Sequence, residues 1–263
     1  MKKLVHALVL TGLVGVPAAA IAAESPHSLS ANVTLTSDYV FRGITQTGGD
    51  PAIQGGLDYT HASGFYLGTW ASNVSWLKDF QSYDKGSMEI DVYGGFRGDI
   101  GKTGLTFDVG AIQYMYPGDN VTGGFNDADT TEVYAALGWE WFTVKYSYYV
   151  SDEVFGIGDK SGGTGDADGS SYLSIAASVP VGETGLTLGA SWGTFKFENN
   201  GGYDYDDWKV SASYDMGKAG KLFDGVTVGV AYTDTNASRA FWTDGNNQFL
   251  GDNTTYFWVS KSF

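Results

Sequence analysis

The sequence predicts an all-β protein: a twelve-stranded antiparallel up-and-down transmembrane β-barrel. Three observations carry that expectation. Apolar and polar residues alternate with period two in segments of about ten residues, the length a tilted strand needs to cross a bilayer. The connections between those segments alternate between short and long, with only slight overlap. The composition, with 38 Gly, 15% aromatic residues, 5 Pro and no Cys, is that of strands joined by turns, and its aromatic content excludes an acidic disordered chain.

The N-terminus reads as a secretory signal peptide over residues 1–22, with the barrel domain over 23–263. Lys2 and Lys3 open it, Leu4 to Val16 form an apolar stretch, and Ala20-Ile21-Ala22 is an A-x-A cleavage site. The small-residue run and the polar "ESPHS" that follows favour cleavage over an uncleaved anchor. Removing the two lysines takes the formal charge from −15 to −17, which excludes nucleic acid bound through a basic patch. Without cysteine there is neither a disulfide framework nor thiol chemistry, despite export. After the signal no run approaches the ~18 apolar residues of a membrane helix.

The strands fall at about 31–42, 51–60, 64–74, 87–98, 104–116, 130–140, 142–150, 170–179, 185–195, 206–216, 225–234 and 254–263. Short connections follow the even-numbered strands: "HAS", "DIGKT", "EW", "PVGET" and "GKAGKLFD". Long ones, rich in Gly, Asn and Asp, follow the odd-numbered strands, as in "GITQTGGD", "PGDNVTGGFNDAD" and "SDEVFGIGDKSGGTGDADGS". A meander with an even strand count puts all short turns on one rim and all long loops on the other. Outer-membrane barrels do this, with periplasmic turns and extracellular loops, so both termini are expected at the periplasmic rim.

The alternation then assigns faces. "GVTVGVAYTD" sets Val226, Val228, Val230 and Tyr232 against Thr227, Gly229, Ala231 and Thr233. "NVTLTSDYVFR" sets Val33, Leu35, Tyr39 and Phe41 against Asn32, Thr34, Thr36, Asp38 and Arg42. A wet interior with a lipid-facing exterior explains this pattern. A lipocalin-like soluble barrel would invert it, but twelve strands enclose more space than side chains fill. Asp38, Asp58, Glu89, Asp91, Arg97, Asp108, Glu132, Lys145 and Lys209 all lie on the polar phase. With Arg42, read as the top of strand one, they form the predicted pore-lining set. Lys261 alone departs, close enough to the end to snorkel. The aromatic pairs Tyr39/Phe41, Tyr114/Tyr116, Tyr146/Tyr148 and Trp139/Trp141, with Trp208, read as interfacial girdles. Phe263 is expected to anchor the closing strand at the rim.

Residues 33 to 74, "VTLTSDYVFRGITQTGGDPAIQGGLDYTHASGFYLGTWASNV", resemble the TorF family of porins. The family pattern looks like "SDYxFRGxSQT…PAxQGGxDYxHxSGFYxGxWxSNV", with Thr45 here where the family has Ser. "YPG" at 116–118 and the closing "VSKSF" extend the likeness along the mature chain. The resemblance implies a signal peptide, an outer-membrane barrel and a channel role.

Catalysis is not expected. A barrel hydrolase needs a Ser nucleophile beside a His base, and the mature chain has only His27 and His61, both placed away from the extracellular rim. No cofactor is expected. The segments "GDADGSS" (Asp166, Asp168) and "NDADTTE" (Asp127, Asp129, Glu132) are oxygen-rich but miss the twelve-residue calcium-loop pattern. They read as solvated acidic loops, with weakly held divalent cations bridging to lipopolysaccharide as the alternative. The expected function is passive diffusion of small hydrophilic solutes or ions, with a mild cation preference because acids exceed bases in the lumen. The expected partners are outer-membrane lipid and lipopolysaccharide. The alternatives are a closed structural barrel whose loops bind a partner, and a soluble periplasmic β-protein.

Overall fold

The computed structural model describes residues 25–120 and 124–263; the predicted signal peptide lies outside the described residues. The strands are β1 (His27–Thr36), β2 (Ala52–His61), β3 (Phe65–Asn73), β4 (Met88–Asp99), β5 (Leu105–Met115), β6 (Thr130–Trp139), β7 (Phe142–Tyr149), β8 (Ser171–Pro180), β9 (Leu186–Lys196), β10 (Tyr205–Asp215), β11 (Val226–Thr235) and β12 (Thr254–Ser262). Each pairs antiparallel with its neighbours, and β1 closes on β12 to complete the barrel. Leu35 lies opposite Val259 at the seam, and Thr34 opposite Ser260. Closure leaves no free edge. The backbone of Phe263 is held too: its N–H donates to Ala31 O at 2.9 Å. Short connections gather on one rim and long ones on the other, as the sequence predicts.

The apolar phase faces out. Leu35, Ile53 and Phe257 are 59%, 60% and 58% exposed, and Leu57, Leu67, Val92, Val109, Val133, Val144, Ile175, Leu188, Val210 and Val259 repeat this around the circumference. An exposed apolar band of this extent suits hydrocarbon, not water. Trp139, Trp141 and Phe142 mark one level of it, and Tyr148, Trp192 and Trp208 another, the two-girdle arrangement of a membrane barrel.

The opposite phase faces in, and its packing uses glycine. A Cβ on Gly68 would lie 2.5 Å from the Tyr93 ring, and one on Gly229 2.1 Å from Trp258. Inward aromatics therefore lie flat on the bare backbone of the next strand, filling the wall without narrowing the centre. On the β8–β11 side the inner face is small: Ser174, Ala176, Ser178, Ser191, Ser211, Ser213 and Thr227. Ala176, Ser178, Ser191, Ser211 and Ser213 are partly or fully exposed while Thr227 is buried, which leaves most of that half of the lumen wall open to solvent.

The long-loop half is filled. Strand one stops at Thr36, six residues before its predicted end. Val40–Phe41 and Ile44–Thr45 form a separate small hairpin instead, with Arg42 and Gly43 at φ 48° and 80°. Positive φ at both central residues is the type I′ turn that suits a two-residue hairpin. Such a turn looks like continued alternation in sequence, since "YVFRG" keeps period two while the chain reverses. The hairpin folds inward, where it meets Leu77 of the helical turn Trp76–Asp79, Val154 and Ile157 from the segment after β7, and Trp242 and Leu250 from the segment after β11, all buried. Phe80 and Phe155 pack against both apolar clusters of this plug. The lengths of segments 151–170 and 235–253 allow inward folding, although no loop is by length an obvious plug, and nothing in the sequence marks residues 37–50 for it.

Candidate functional site: a charged lumen beneath a loop plug

The centre of the site is Glu132, which β6 carries on its inner face. Its Oε2 accepts from Arg42 Nη2 at 2.6 Å and from Tyr114 at 3.2 Å. Its Oε1 accepts from Ser147 at 2.7 Å and pairs with Lys145 Nζ at 3.0 Å. All of these groups are buried. One carboxylate thus faces two cations and accepts three hydrogen bonds, which is what a buried charge needs to be tolerated. Arg42 reaches this point because the hairpin turn delivers it there. Its guanidinium also bonds the Tyr149 hydroxyl and lies over the rings of Tyr172 at 4.1 Å and Phe41 at 4.8 Å. Arg42 is therefore the tip of an inserted hairpin and not the top of strand one. The strand reading placed it in the lumen for the wrong local reason.

Asp38 holds the hairpin from its other end. Its Oδ1 accepts from the Thr45 and Thr47 hydroxyls at 2.6 and 3.0 Å, closing the loop on itself. Burial raises its carboxyl above the ordinary range, and those two hydroxyls work against the rise.

The remaining predicted residues divide by depth. Glu89 and Asp91 are buried side by side on β4, and the Tyr39 hydroxyl donates to Glu89 Oε1 at 3.0 Å. Asp108 is buried on β5, accepting from Tyr66 at 2.6 Å; Tyr66 also bonds Tyr134. Nearer the short-turn rim Asp58 is partly exposed and accepts from Tyr93 at 2.6 Å. Arg97 is exposed there, opposite Asp108 in the β4–β5 register and over the Tyr66 ring at 5.1 Å. Lys209 on β10 is half-buried. The structure thus brings Arg42, Glu132 and Lys145 together and leaves Asp58, Arg97 and Lys209 as a looser, wetter group.

Sequence reasoning missed Asp207, which is buried and accepts from Tyr172 at 2.8 Å. The signal was present: Asp207 shares the inward phase of Lys209. It also misplaced some aromatics. Tyr39, Tyr114 and Tyr116 are buried inside, and Phe41 packs on the inner cluster, so none of these belongs to a girdle. Tyr114 lies an even number of residues from Asp108, so its phase alone marks it as inward.

His27 and His61 sit opposite each other near the short turn, their rings 5.1 Å apart. His61 Nδ1 contacts Ser63 Oγ at 2.8 Å within the turn and also accepts from the Ser63 N–H at 3.1 Å, a local turn contact two residues apart. Among the described residues no group of three or more His, Cys, Asp and Glu gathers where it could hold a metal ion. In the acidic loops, Asp129 accepts the Tyr116 N–H at 2.7 Å and Asp127 the Asp129 N–H at 3.0 Å, roles in fixing loop backbone.

An apolar exterior, a closed ladder and an interior of ion pairs and phenols define a twelve-stranded membrane β-barrel with a loop-filled mouth. The chain belongs to the Gcw_chp family, a bacterial protein family of unknown function, whose model matches residues 20–263. No curated protein matches it. Among solved structures, the KdgM porin is similar with a TM-score of 0.51 and 9% identity, over 89% of this chain and 98% of that one. The NanC porin is similar at 0.51 and 10%, over 90% and 99%. KdgM has also been solved in complex with disordered oligogalacturonate, with 9% identity to this chain. At these identities the likeness is one of fold. The TorF likeness remains one of sequence pattern.

Proposed function

We propose that the protein is a porin-like channel of the bacterial outer membrane that passes small hydrophilic solutes or ions by diffusion, with a mild preference for cations. The observation that carries this reading is the inversion of the barrel: apolar side chains outside, charged and hydroxyl side chains inside, with the short-turn half of the lumen open to solvent. In this orientation the short turns and both termini are periplasmic, and the long loops face lipopolysaccharide. Selectivity then follows from wall charge. Asp38, Asp58, Glu89, Asp91, Asp108, Glu132 and Asp207 outnumber Arg42, Arg97, Lys145 and Lys209. A polyanion such as oligogalacturonate is a poor match for that wall. Passage requires the first hairpin to leave its seat, which makes the Arg42–Glu132 contact the latch of a closed mouth.

A second reading, a closed barrel that acts through its loops, is favoured by the aromatic packing of the plug, including Phe80 stacked on Trp242 at 5.9 Å. Single-channel recording in planar bilayers decides between them. The channel reading expects discrete current steps in potassium chloride, rare in the wild type and frequent once the latch is cut. Silence in both would establish the closed barrel. The expected locations of lipid contact and of weak divalent cations at the acidic loops belong to the same proposal.

A further inference from the structure

Among the described residues, five inward carboxylates leave no buried oxygen without a partner. Asp38 is held by two threonines, Asp58 by Tyr93, Asp108 by Tyr66, Asp207 by Tyr172, and Glu132 by two bases and two hydroxyls. Glu89 and Asp91 differ. They stand two residues apart on β4, so both point to the same side of the wall, and they are 2% and 6% exposed. Glu89 Oε2 and Asp91 Oδ1 are buried with no partner. No lysine or arginine pairs with either among the described residues. The charged groups acting on Asp91 are Glu89 and Glu132, both acids, and Arg42 and Lys145 are already committed to Glu132.

The groups that face the pair are aromatic or hydroxylic. From β3, Ser72 lies opposite Glu89 and Trp70 opposite Asp91; from β5, Tyr114 lies opposite Asp91. Tyr39 reaches Glu89 from the hairpin segment. Two ionised carboxylates cannot stay buried without compensation, and ring faces add negative potential to theirs. The lumen wall at this point calls for a positive charge that the described residues do not supply.

We propose that Glu89 and Asp91 bind one hard divalent cation of the calcium class in the lumen wall beneath the first hairpin. Two carboxylates match a double positive charge, and carboxylate, phenol and water oxygens are the ligands such an ion takes. Because Tyr39 is shared between this site and the hairpin segment, the bound ion also braces the plug. The inference gives the cation preference of the proposed channel a place, and rests on that reading only for its functional meaning.

The test is calcium binding by the full barrel in detergent, followed by titration calorimetry and thermal unfolding, with sodium chloride at matched ionic strength as the reference. One saturable site is expected, with a rise in Tm of about 5 °C or more at a hundredfold excess over Kd. Glu89→Gln and Asp91→Asn, singly and together, remove the rise, whereas Asp166→Asn with Asp168→Asn in the loop keeps it. Two results would overturn the proposal: no saturable binding by the wild type, which would mean the pair is kept neutral by protons, or a calcium response that survives in both single variants. The channel reading is judged separately by current. Calcium binding without conductance leaves this site standing and removes the channel; conductance without calcium binding does the reverse.

Discussion

Arg42→Ala is the perturbation that bears most on the plug. It deletes the guanidinium that sits 2.6 Å from Glu132, bonds Tyr149 and covers Tyr172. Removing one member of a buried pair costs about 3–5 kcal/mol. Lys145 stays on Glu132 at 3.0 Å, so the loss belongs at the low end, about 3 kcal/mol. The hairpin pairs only with itself and lies outside the barrel ladder; its further backbone bonds run to other loops, as from Thr45 N–H to Leu250 O at 3.0 Å. The loss therefore falls on the seating of the hairpin and not on the closed sheet. It amounts to a roughly hundredfold increase in the ratio of displaced to seated hairpin. Two assays read this ratio: the fraction of time open in a planar bilayer, and the rate of chymotrypsin cleavage beside Tyr39 and Phe41. Both should rise by about two orders of magnitude, with Arg42→Lys intermediate because lysine neither forks nor stacks as arginine does. An Arg42→Ala protein with wild-type current and wild-type protease resistance would refute the latch.

Three further outcomes are expected. Gly43→Ala places a Cβ 2.5 Å from Thr235 Cγ2 and 2.7 Å from Asp207 Cβ, at φ +80°, so it should unseat the hairpin and reproduce the Arg42→Ala cleavage pattern. Gly68→Ala drives a methyl to 2.5 Å from the Tyr93 ring. Overpacking of this kind costs about 1–3 kcal/mol, and the temperature of the heat-induced gel-mobility shift should fall by several degrees while the hairpin stays protected. Val210→Arg puts a cation on the outer face near the middle of β10, at a cost of roughly 2–4 kcal/mol. Ser211→Arg, one residue along and inward, should cost little, and urea unfolding in lipid vesicles separates the two.

The barrel was legible because membrane strands obey a rule with few exceptions. "GVTVGVAYTD" and "WKVSASYDM" alternate cleanly, as each side chain there meets either lipid or the lumen and nothing else. Loop sorting fixed the rims for the same reason, since a meander has no other way to place its turns. The plug was hidden because its residues answer to loop-on-loop packing, which leaves no periodicity. Tyr39 and Phe41 continue the alternation of strand one into a hairpin that runs the other way, and only Gly43, a residue that accepts positive φ, hints at the reversal. The lumen charges were found by phase, but their pairing could not be. Arg42 and Glu132 are ninety positions apart in sequence, and it is the closed sheet that brings β6 to the hairpin tip.

The central claim is that the barrel is inverted, and site-directed spin labelling measures that directly. The chain has no cysteine, so single-cysteine variants at Leu173, Val210 and Val228 and at Ser178, Ser211 and Ser213 can each carry one nitroxide. In lipid vesicles the first set should relax with oxygen and ignore a water-soluble nickel complex, and the second set should do the opposite. Nickel contact at Val210 and Val228 with protection at Ser211 and Ser213 would contradict the account.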